Sequence, residues 1–292
     1  MRWSDVEGYF FVAPFFVGFL LFTLGPFVTA LVMSFMKWGL FGSPEFIGLQ
    51  NYQLIFADDP KFTVSLINTL YYMAGHIPLA MMLAFAVALM LNRKVAGMPL
   101  FRTMYYLPSV TASVAIYLLW GWIFDPSFGL LNQGLALIGI HGPNWLGTTA
   151  WAMPAFIIMS LWSTGGLMVI YLAALQGVPA TLYEAAAIDG ANAWHRLWNV
   201  TIPMVTPSIF FTLISQILGS FQVFDAAFVL TNGGPGDSTL FYVLHLYNQA
   251  FRGFRMGYAS ALAWILFVII MLFTLVQIWL SRRWVYYEGE QR

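Results

Sequence analysis

The chain has 292 residues, 60% hydrophobic and 8% charged, with mean hydropathy +0.77 and a formal net charge of zero. A soluble domain carries about 25% charged residues, so this composition excludes one and indicates an integral membrane protein. The balanced charge gives no footing for nucleic acid, and the absence of cysteine excludes disulfides and thiolate metal sites.

A spanning helix needs roughly 20 mostly apolar residues. Six segments qualify, at about 10–36, 63–92, 104–124, 149–175, 207–231 and 258–281. The first is too long for a signal peptide and has no small-residue cleavage site after it, so it is expected to stay as a span. The third is interrupted by Pro108 and closed by Asp125-Pro126. An even number of spans puts both termini on one side. Arg2, Arg93, Lys94, Arg102, Arg196, Arg282, Arg283 and Arg292 fall on that side, against Lys37, Lys61, Arg252 and Arg255 on the other. The excess places both termini in the cytoplasm, with the loops at about 37–62, 125–148 and 232–257 outside. No internal repeat or flexible linker is visible, so 1–292 is read as a single transmembrane domain.

The loop at about 177–206 is the most polar long stretch between two spans. From Glu184 to Pro203 it reads EAAAIDGANAWHRLWNVTIP. Helix formers from Glu184 to Ile188 end at Asp189-Gly190, where glycine supplies the turn. A second helical run, Ala191 to Val200, is expected to stop at Pro203. Two short helices set at an angle, projecting into water on the cytoplasmic side, make a grip for a soluble partner.

Several chemistries have no residues to carry them. None of Lys37, Lys61 and Lys94 follows the glycines of a phosphate-binding loop, so no ATP hydrolysis of that kind is expected here. His76, His141, His195 and His245 lie on separate segments without carboxylates at ligand spacing, which argues against a metal site. No nucleophile elbow or intramembrane catalytic cluster appears. Asp225 is the only clear acidic residue within a span. It falls about 27 Å along a helix from Pro207, near the outer end, where it is either a cargo or ion ligand or a hydrated interfacial carboxylate. Without an ion relay, the energy source is expected to be external.

The chain resembles the MalF-like inner-membrane permeases of bacterial carbohydrate ABC importers. The likeness is carried by Leu182 to Ala191 closed by Ile202-Pro203, and by Gly48-Leu49-Gln50-Asn51-Tyr52, Asn68-Thr69, Leu107-Pro108-Ser109, Thr231-Asn232-Gly233-Gly234-Pro235-Gly236 and Tyr247-Asn248-Gln249-Ala250-Phe251. The resemblance implies an all-α integral membrane protein with six transmembrane helices and the type I ABC importer permease fold, in the bacterial inner membrane. It implies an EAA coupling loop in which Glu184, Ala185, Ala186, Asp189, Gly190, Ala191, Trp194 and Leu197 meet the ATPase. The implied partners are a second homologous permease, two ATP-binding-cassette ATPase subunits that bind ATP and magnesium, an extracytoplasmic solute-binding protein, and membrane lipid. No cofactor is implied for this chain itself.

Alignment to maltose-type permeases places sugar contacts at Tyr105 and Ser109, at Met159, Trp162, Ser163 and Gly166, and at Gln216, Ser220 and Val223. Tyr105/Ser109, Trp162/Gly166 and Gln216/Ser220/Val223 have helical spacing, so each set is expected on one helix face. Tyr105, Ser109, Trp162, Ser163, Gln216 and Ser220 have the hydroxyl, amide or aromatic character that sugar recognition wants. Met159, Gly166 and Val223 depart from it. With no Lys or Arg deep in a span, a neutral mono-, di- or oligosaccharide is favoured over a phosphate-bearing cargo, and the alternatives are glycerol-3-phosphate or a polyol. The rival classes are a self-sufficient secondary carrier or channel, which calls for an intramembrane ion relay, and a membrane-embedded enzyme, which calls for clustered catalytic groups.

Overall fold

The computed structural model describes residues 3–39, 42–93 and 95–286, with the backbone alone for 3–10. Arg2, Lys94 and Arg292, three cations of the charge bias, lie outside the described residues. In chain order the helices are α1 (Trp3–Phe19), α2 (Gly25–Ser34), α3 (Gln50–Ala57), α4 (Pro60–Leu91), α5 (Met98–Val110), α6 (Ser113–Ile123), α7 (Leu130–Leu137) and α8 (Thr149–Leu161). They continue with α9 (Gly165–Gln176), α10 (Ala180–Ile188), α11 (Ala193–Arg196), α12 (Ile202–Phe221), α13 (Asp225–Leu230), α14 (Tyr242–Tyr247) and α15 (Met256–Ser281). A two-residue antiparallel pair, β1 (Met36–Lys37) with β2 (Glu45–Phe46), is the one departure from all-helical structure among the described residues.

Four runs are long and apolar enough to cross a membrane: 11–34, 60–91, 193–230 and 256–281. The expected third and fourth spans are each a bent pair. α5 and α6 meet at 97°, and α8 and α9 at 47°. In the third, Pro108 is not the breaking point. It sits inside α5, and the chain turns at Thr111–Ala112, both in extended backbone. The fourth tightens at its bend, where Trp162 N–H donates to the Met159 carbonyl at 3.1 Å and Ser163 N–H to that of Ser160 at 3.4 Å.

The chain divides into two compact units, Met1–Phe62 with His245–Ile269, and Thr63–Leu244 with Ile270–Arg292. In the first, buried Asn51 donates to the carbonyls of Ser34 (2.8 Å) and Met36 (3.0 Å), while Tyr52 donates to Ser34 Oγ at 2.8 Å. This explains the Asn51-Tyr52 pair in mechanical terms: one amide satisfies the Ser34 carbonyl that the end of α2 leaves open and the Met36 carbonyl at the start of β1.

Asp59 has a double role in the same unit. Its Oδ1 accepts from the N–H groups of Lys61 (2.9 Å) and Phe62 (3.3 Å), capping α4 ahead of Pro60. Its Oδ2 accepts from Tyr258 (2.6 Å) and from Nε2 of buried His245 (2.8 Å). Burial pushes the Asp59 carboxyl up, but the bonds from Tyr258, His245 and the backbone outweigh it and hold the group below its ordinary 3.8. With a depressed folded value, the stabilisation is complete above the unfolded value and is lost as pH falls through the folded one. Asp59→Ala strands two buried donors and a helix cap, each worth about 1–3 and about 1 kcal/mol. We expect this variant to melt earlier than the parent at pH 7 in detergent and to lose less of its melting temperature on going from pH 5 to pH 3. Parallel acid limbs would remove the clasp from the account.

The core of the second unit gathers Phe124, Phe156, Phe241 and Leu244. A second cluster holds Met168, Tyr171, Leu175 and Val205. Asn68 donates to the carbonyls of Asp237 (2.8 Å) and Leu240 (3.2 Å), and Thr69 Oγ1 accepts from Tyr242 N–H at 3.0 Å. The segment that follows the Thr231–Gly236 motif is thereby moored to α4.

Candidate functional site: a coupling loop and a polar cavity

The loop after α9 folds as its residues dictate. Pro179 caps α10, and its fixed φ suits a helix entrance. At the far end Ala191 N–H donates to the Ala186 carbonyl at 2.8 Å and Gly190 N–H to that of Ala187 at 3.1 Å. These two bonds are the Schellman closure, with Gly190 at φ +77° in the left-handed position that disfavours a Cβ. Asn192 then caps α11, its Oδ1 accepting from His195 N–H at 2.9 Å.

Pro203 does not stop the second helix. The backbone runs on from α11 through a wider π turn, Leu197–Thr201, into α12. Proline within a regular helix lacks one N–H and strikes the carbonyl four residues back. The π turn immediately before it loosens that register, and Pro203 sits in the first turn of the next segment. Ala193 to Phe221 is therefore one helical rod of roughly 40 Å. Tyr183 OH lies 3.0 Å from Thr201 Oγ1, tying α10 to that rod.

α10 buries none of its residues. Ile188 is 88% exposed and Trp194 65%, while Leu182, Glu184, Ala185, Asp189 and Gly190 are exposed and Ala186, Ala191 and Leu197 half-buried. Exposed apolar side chains flanked by small ones suit a partner's surface.

The second unit also holds a cavity of about 300 Å³. Its wall includes Tyr72, Tyr117, Ser160, Ser163, Gln222 and Asp225 as polar groups and Phe156 and Phe224 as apolar aromatic faces. Asp225 is the first residue of α13, just after the break at Gln222–Phe224, and among the described residues it is the only charged group on the wall. A carboxylate at a helix N-terminus is favourably placed.

The predicted cargo residues scatter around this cavity. Ser163 lines it, as do Met159 and Val223, which have the less suitable side chains. Tyr105 OH lies 3.2 Å from Thr164 Oγ1, and Ser109 donates to the Tyr106 carbonyl at 2.7 Å. Both flank Gly165, where a Cβ would come within 2.6 Å of the Tyr105 carbonyl. Trp162 sits edge-on to Trp120 with centroids 6.1 Å apart. The Ser220 hydroxyl is buried with no hydrogen-bond partner among the described residues. The shared-face expectation holds within α5. It does not hold for Trp162/Gly166, which straddle the α8–α9 bend, or for Val223, which lies beyond the end of α12. Helical spacing loses its meaning across a break.

Gln216 donates toward a partner that sequence reading missed, His76. Ser160 gives its hydroxyl proton to the Ile157 carbonyl at 2.6 Å, so at 2.7 Å it accepts from His76 Nδ1. His76 Nε2 is then the acceptor for the Gln216 amide at 3.0 Å. Tyr72 stacks on the imidazole at 5.1 Å. The sequence signal was a lone histidine in mid-span, four residues after a tyrosine. Its partners lie 84 and 140 residues away in sequence.

Residues 76–286 match the family described as binding-protein-dependent transport system inner membrane component. A probable ABC transporter permease, YesP of Bacillus subtilis, is 39% identical, with the alignment covering 100% of this chain and 95% of that protein. The lactose transport system permease LacF of Rhizobium radiobacter is 36% identical over 96% of both. Among solved structures, a chain of a bacterial ABC transporter involved in the import of the acidic polysaccharide alginate superimposes with TM-score 0.84 at 24% identity, over 96% of this chain and 98% of that one. At that identity the likeness speaks for the fold.

Proposed function

The chain belongs to the binding-protein-dependent transport system inner membrane components, and from that premise we propose that it is one permease subunit of an ATP-driven importer of carbohydrate. A second, homologous permease completes the pathway. Two ATP-binding-cassette subunits dock on the EAA loop and bind the ATP and magnesium, leaving this chain without a cofactor. A solute-binding protein delivers cargo from outside. The permease domain comprises 1–292, with six spans, counting each bent pair as one, and both termini on the cytoplasmic face of the bacterial inner membrane.

The observation that carries this reading is the loop itself. A helix with no buried residue, closed by Gly190, is pinned through Tyr183 to a rod that runs from Trp194 to Ser220. Movement imposed on the loop by an ATPase would pass along that rod to the wall of the cavity. Small Ala185, Ala186 and Ala191 allow close approach, while Ile188, Trp194 and Leu197 anchor it.

For the cargo, a relative named for lactose and a cavity wall of hydroxyl, amide and aromatic groups without a cation favour a neutral saccharide over glycerol-3-phosphate. Tyr105, Ser109, Trp162, Ser163, Gln216 and Ser220 are the proposed contacts, and Ser163 is the one on the cavity wall. Asp225, Gln222 and Tyr117 join them there as acceptors and donors for sugar hydroxyls.

The test is purification from native membranes in mild detergent, followed by mass spectrometry of what accompanies the chain. The expected companions are a second EAA-bearing permease and a P-loop ATPase. A chain that emerges alone and transports in liposomes without ATP would return the secondary carrier.

A further inference from the structure

A crevice of about 420 Å³ opens in the first unit. Small-ligand pockets run from about 300 to 1,000 Å³. Its wall draws on residues 37–39 beyond the end of α2, on 47–54 around the start of α3, and on 254–258 where α15 begins. The apolar run 11–34 ends just before the first stretch, and the run 256–281 starts in the last. The two ends are tied together. Gly257 N–H donates to the Trp38 carbonyl at 3.0 Å, and glycine there lets the Met36 carbonyl pass where a Cβ would collide. Two candidate spans therefore reach water at one level, and the crevice lies where lipid headgroups lie.

Lys37 and Arg255 are the charged groups on the wall among the described residues, and both are exposed. Lys37 makes no ion pair among the described residues, although Glu45 stands opposite it in the β1–β2 register. The Arg255 guanidinium lies 4.1 Å from the centre of the Tyr258 ring and gives Gln249 Oε1 one long bond of 3.4 Å. Asp59, the carboxylate behind that ring, is committed to Tyr258, His245 and the head of α4. Asn51 has spent its amide hydrogens on Ser34 and Met36. The donors left for a ligand are Lys37, Arg255, the Gln50 amide and the Trp38 indole, a ring suited to the membrane interface. Exposed Leu54 and Phe254 give the rim an apolar edge.

We propose that this crevice seats the phosphodiester headgroup of an anionic phospholipid from the leaflet in which these two spans end. Arg255 and Lys37 meet the phosphate oxygens, Gln50 meets headgroup hydroxyls, and the acyl chains leave past Leu54 and Phe254. A free anion, or a carboxylate on a soluble partner, would meet the same cations but has no carbon chain for the apolar edge. The lipid bridges the ends of the first and last spans. The proposal needs those two runs to span and needs nothing of the cargo.

The experiment is native mass spectrometry of the full-length protein, with whatever subunits accompany it, titrated with phosphatidylglycerol, phosphatidylcholine or inorganic phosphate. The parent is expected to hold one phosphatidylglycerol more tightly than any phosphatidylcholine. Lys37→Gln and Arg255→Gln should each weaken it about fivefold and together about 25-fold. Arg255→Lys should keep more affinity than Arg255→Gln. Arg252→Gln, which removes a cation off the wall, should leave it unchanged. Lys37 has no ion pair to strand, so its variant is read on folded protein. Equal affinity for phosphatidylcholine, or an equal loss in Arg252→Gln, would overturn the site. Displacement of the lipid by inorganic phosphate at matched concentration would also overturn it, in favour of a free anion. So would variants that lose a soluble partner while their lipid affinity stays intact.

Discussion

Gly190→Val is expected to cut uptake by about 30-fold or more while the protein still inserts and purifies. Gly190 stands at φ +77°, and a Cβ built there meets no neighbour. The obstacle is therefore the backbone conformation and not crowding. Holding an L-residue in the left-handed region costs roughly 1–2 kcal/mol, and a β-branched side chain does worse. That is about a 5- to 30-fold loss of the correctly turned loop before any docking contact is lost. The strain also threatens the two closing bonds to Ala186 and Ala187, and with them the placement of Asp189 and Trp194. The ranking should follow conformational tolerance, with Asn nearest to Gly, Ala between, and Val worst. Uptake and ATPase retention, measured with helicity by circular dichroism, check this. Equal uptake for Val and Gly would refute the turn's role in coupling.

Gly165→Leu should abolish transport and lower the melting temperature by roughly 2–12 °C. Here the reason is crowding. Gly165 begins α9 directly after the bend, and a Cβ would stand 2.6 Å from the Tyr105 carbonyl and 2.9 Å from the Tyr106 Cα. Backbone cannot rotate out of the way as a side chain can, so α5 and α9 must part. Overpacking of this kind costs about 1–3 kcal/mol and occasionally more. Separation would also break the Tyr105–Thr164 contact and shift Ser109, both proposed to face cargo. Gly165→Ala should show part of the same loss. Unchanged melting in both variants would mean that the helices are not pressed together there. Unchanged uptake despite lowered melting would detach Tyr105 and Ser109 from the pathway.

Local signals were enough to find the turn in the loop after α9. Glycine after a run of alanines announces a helix end because one residue's conformational freedom decides it, and the Schellman bonds form where that freedom is used. The proposed cargo residues were less legible. Ser163 is on the cavity wall, yet Asp225, Gln222 and Tyr117 share it only because the chain breaks at Gln222–Phe224 and again at Trp162–Thr164. A helical repeat carried through such breaks no longer fixes a shared face for Val223 with Ser220 or for Gly166 with Trp162.

Composition and the length of apolar runs determined by themselves that this is a helical membrane protein, because burial in lipid demands long segments whose backbone bonds are satisfied internally. Glu184 to Ala191 likewise determined the turn on which the coupling reading stands. Tertiary structure alone decided the rest. It set the 97° turn after α5, carried Pro203 through a π turn into a long rod, and paired His76 with Gln216 and Asp59 with His245 and Tyr258. The last two pairs join residues 186 and 199 positions apart. No periodicity reports such a meeting, because the energy lies in satisfying a buried polar group, and which group satisfies it is settled only when the helices pack.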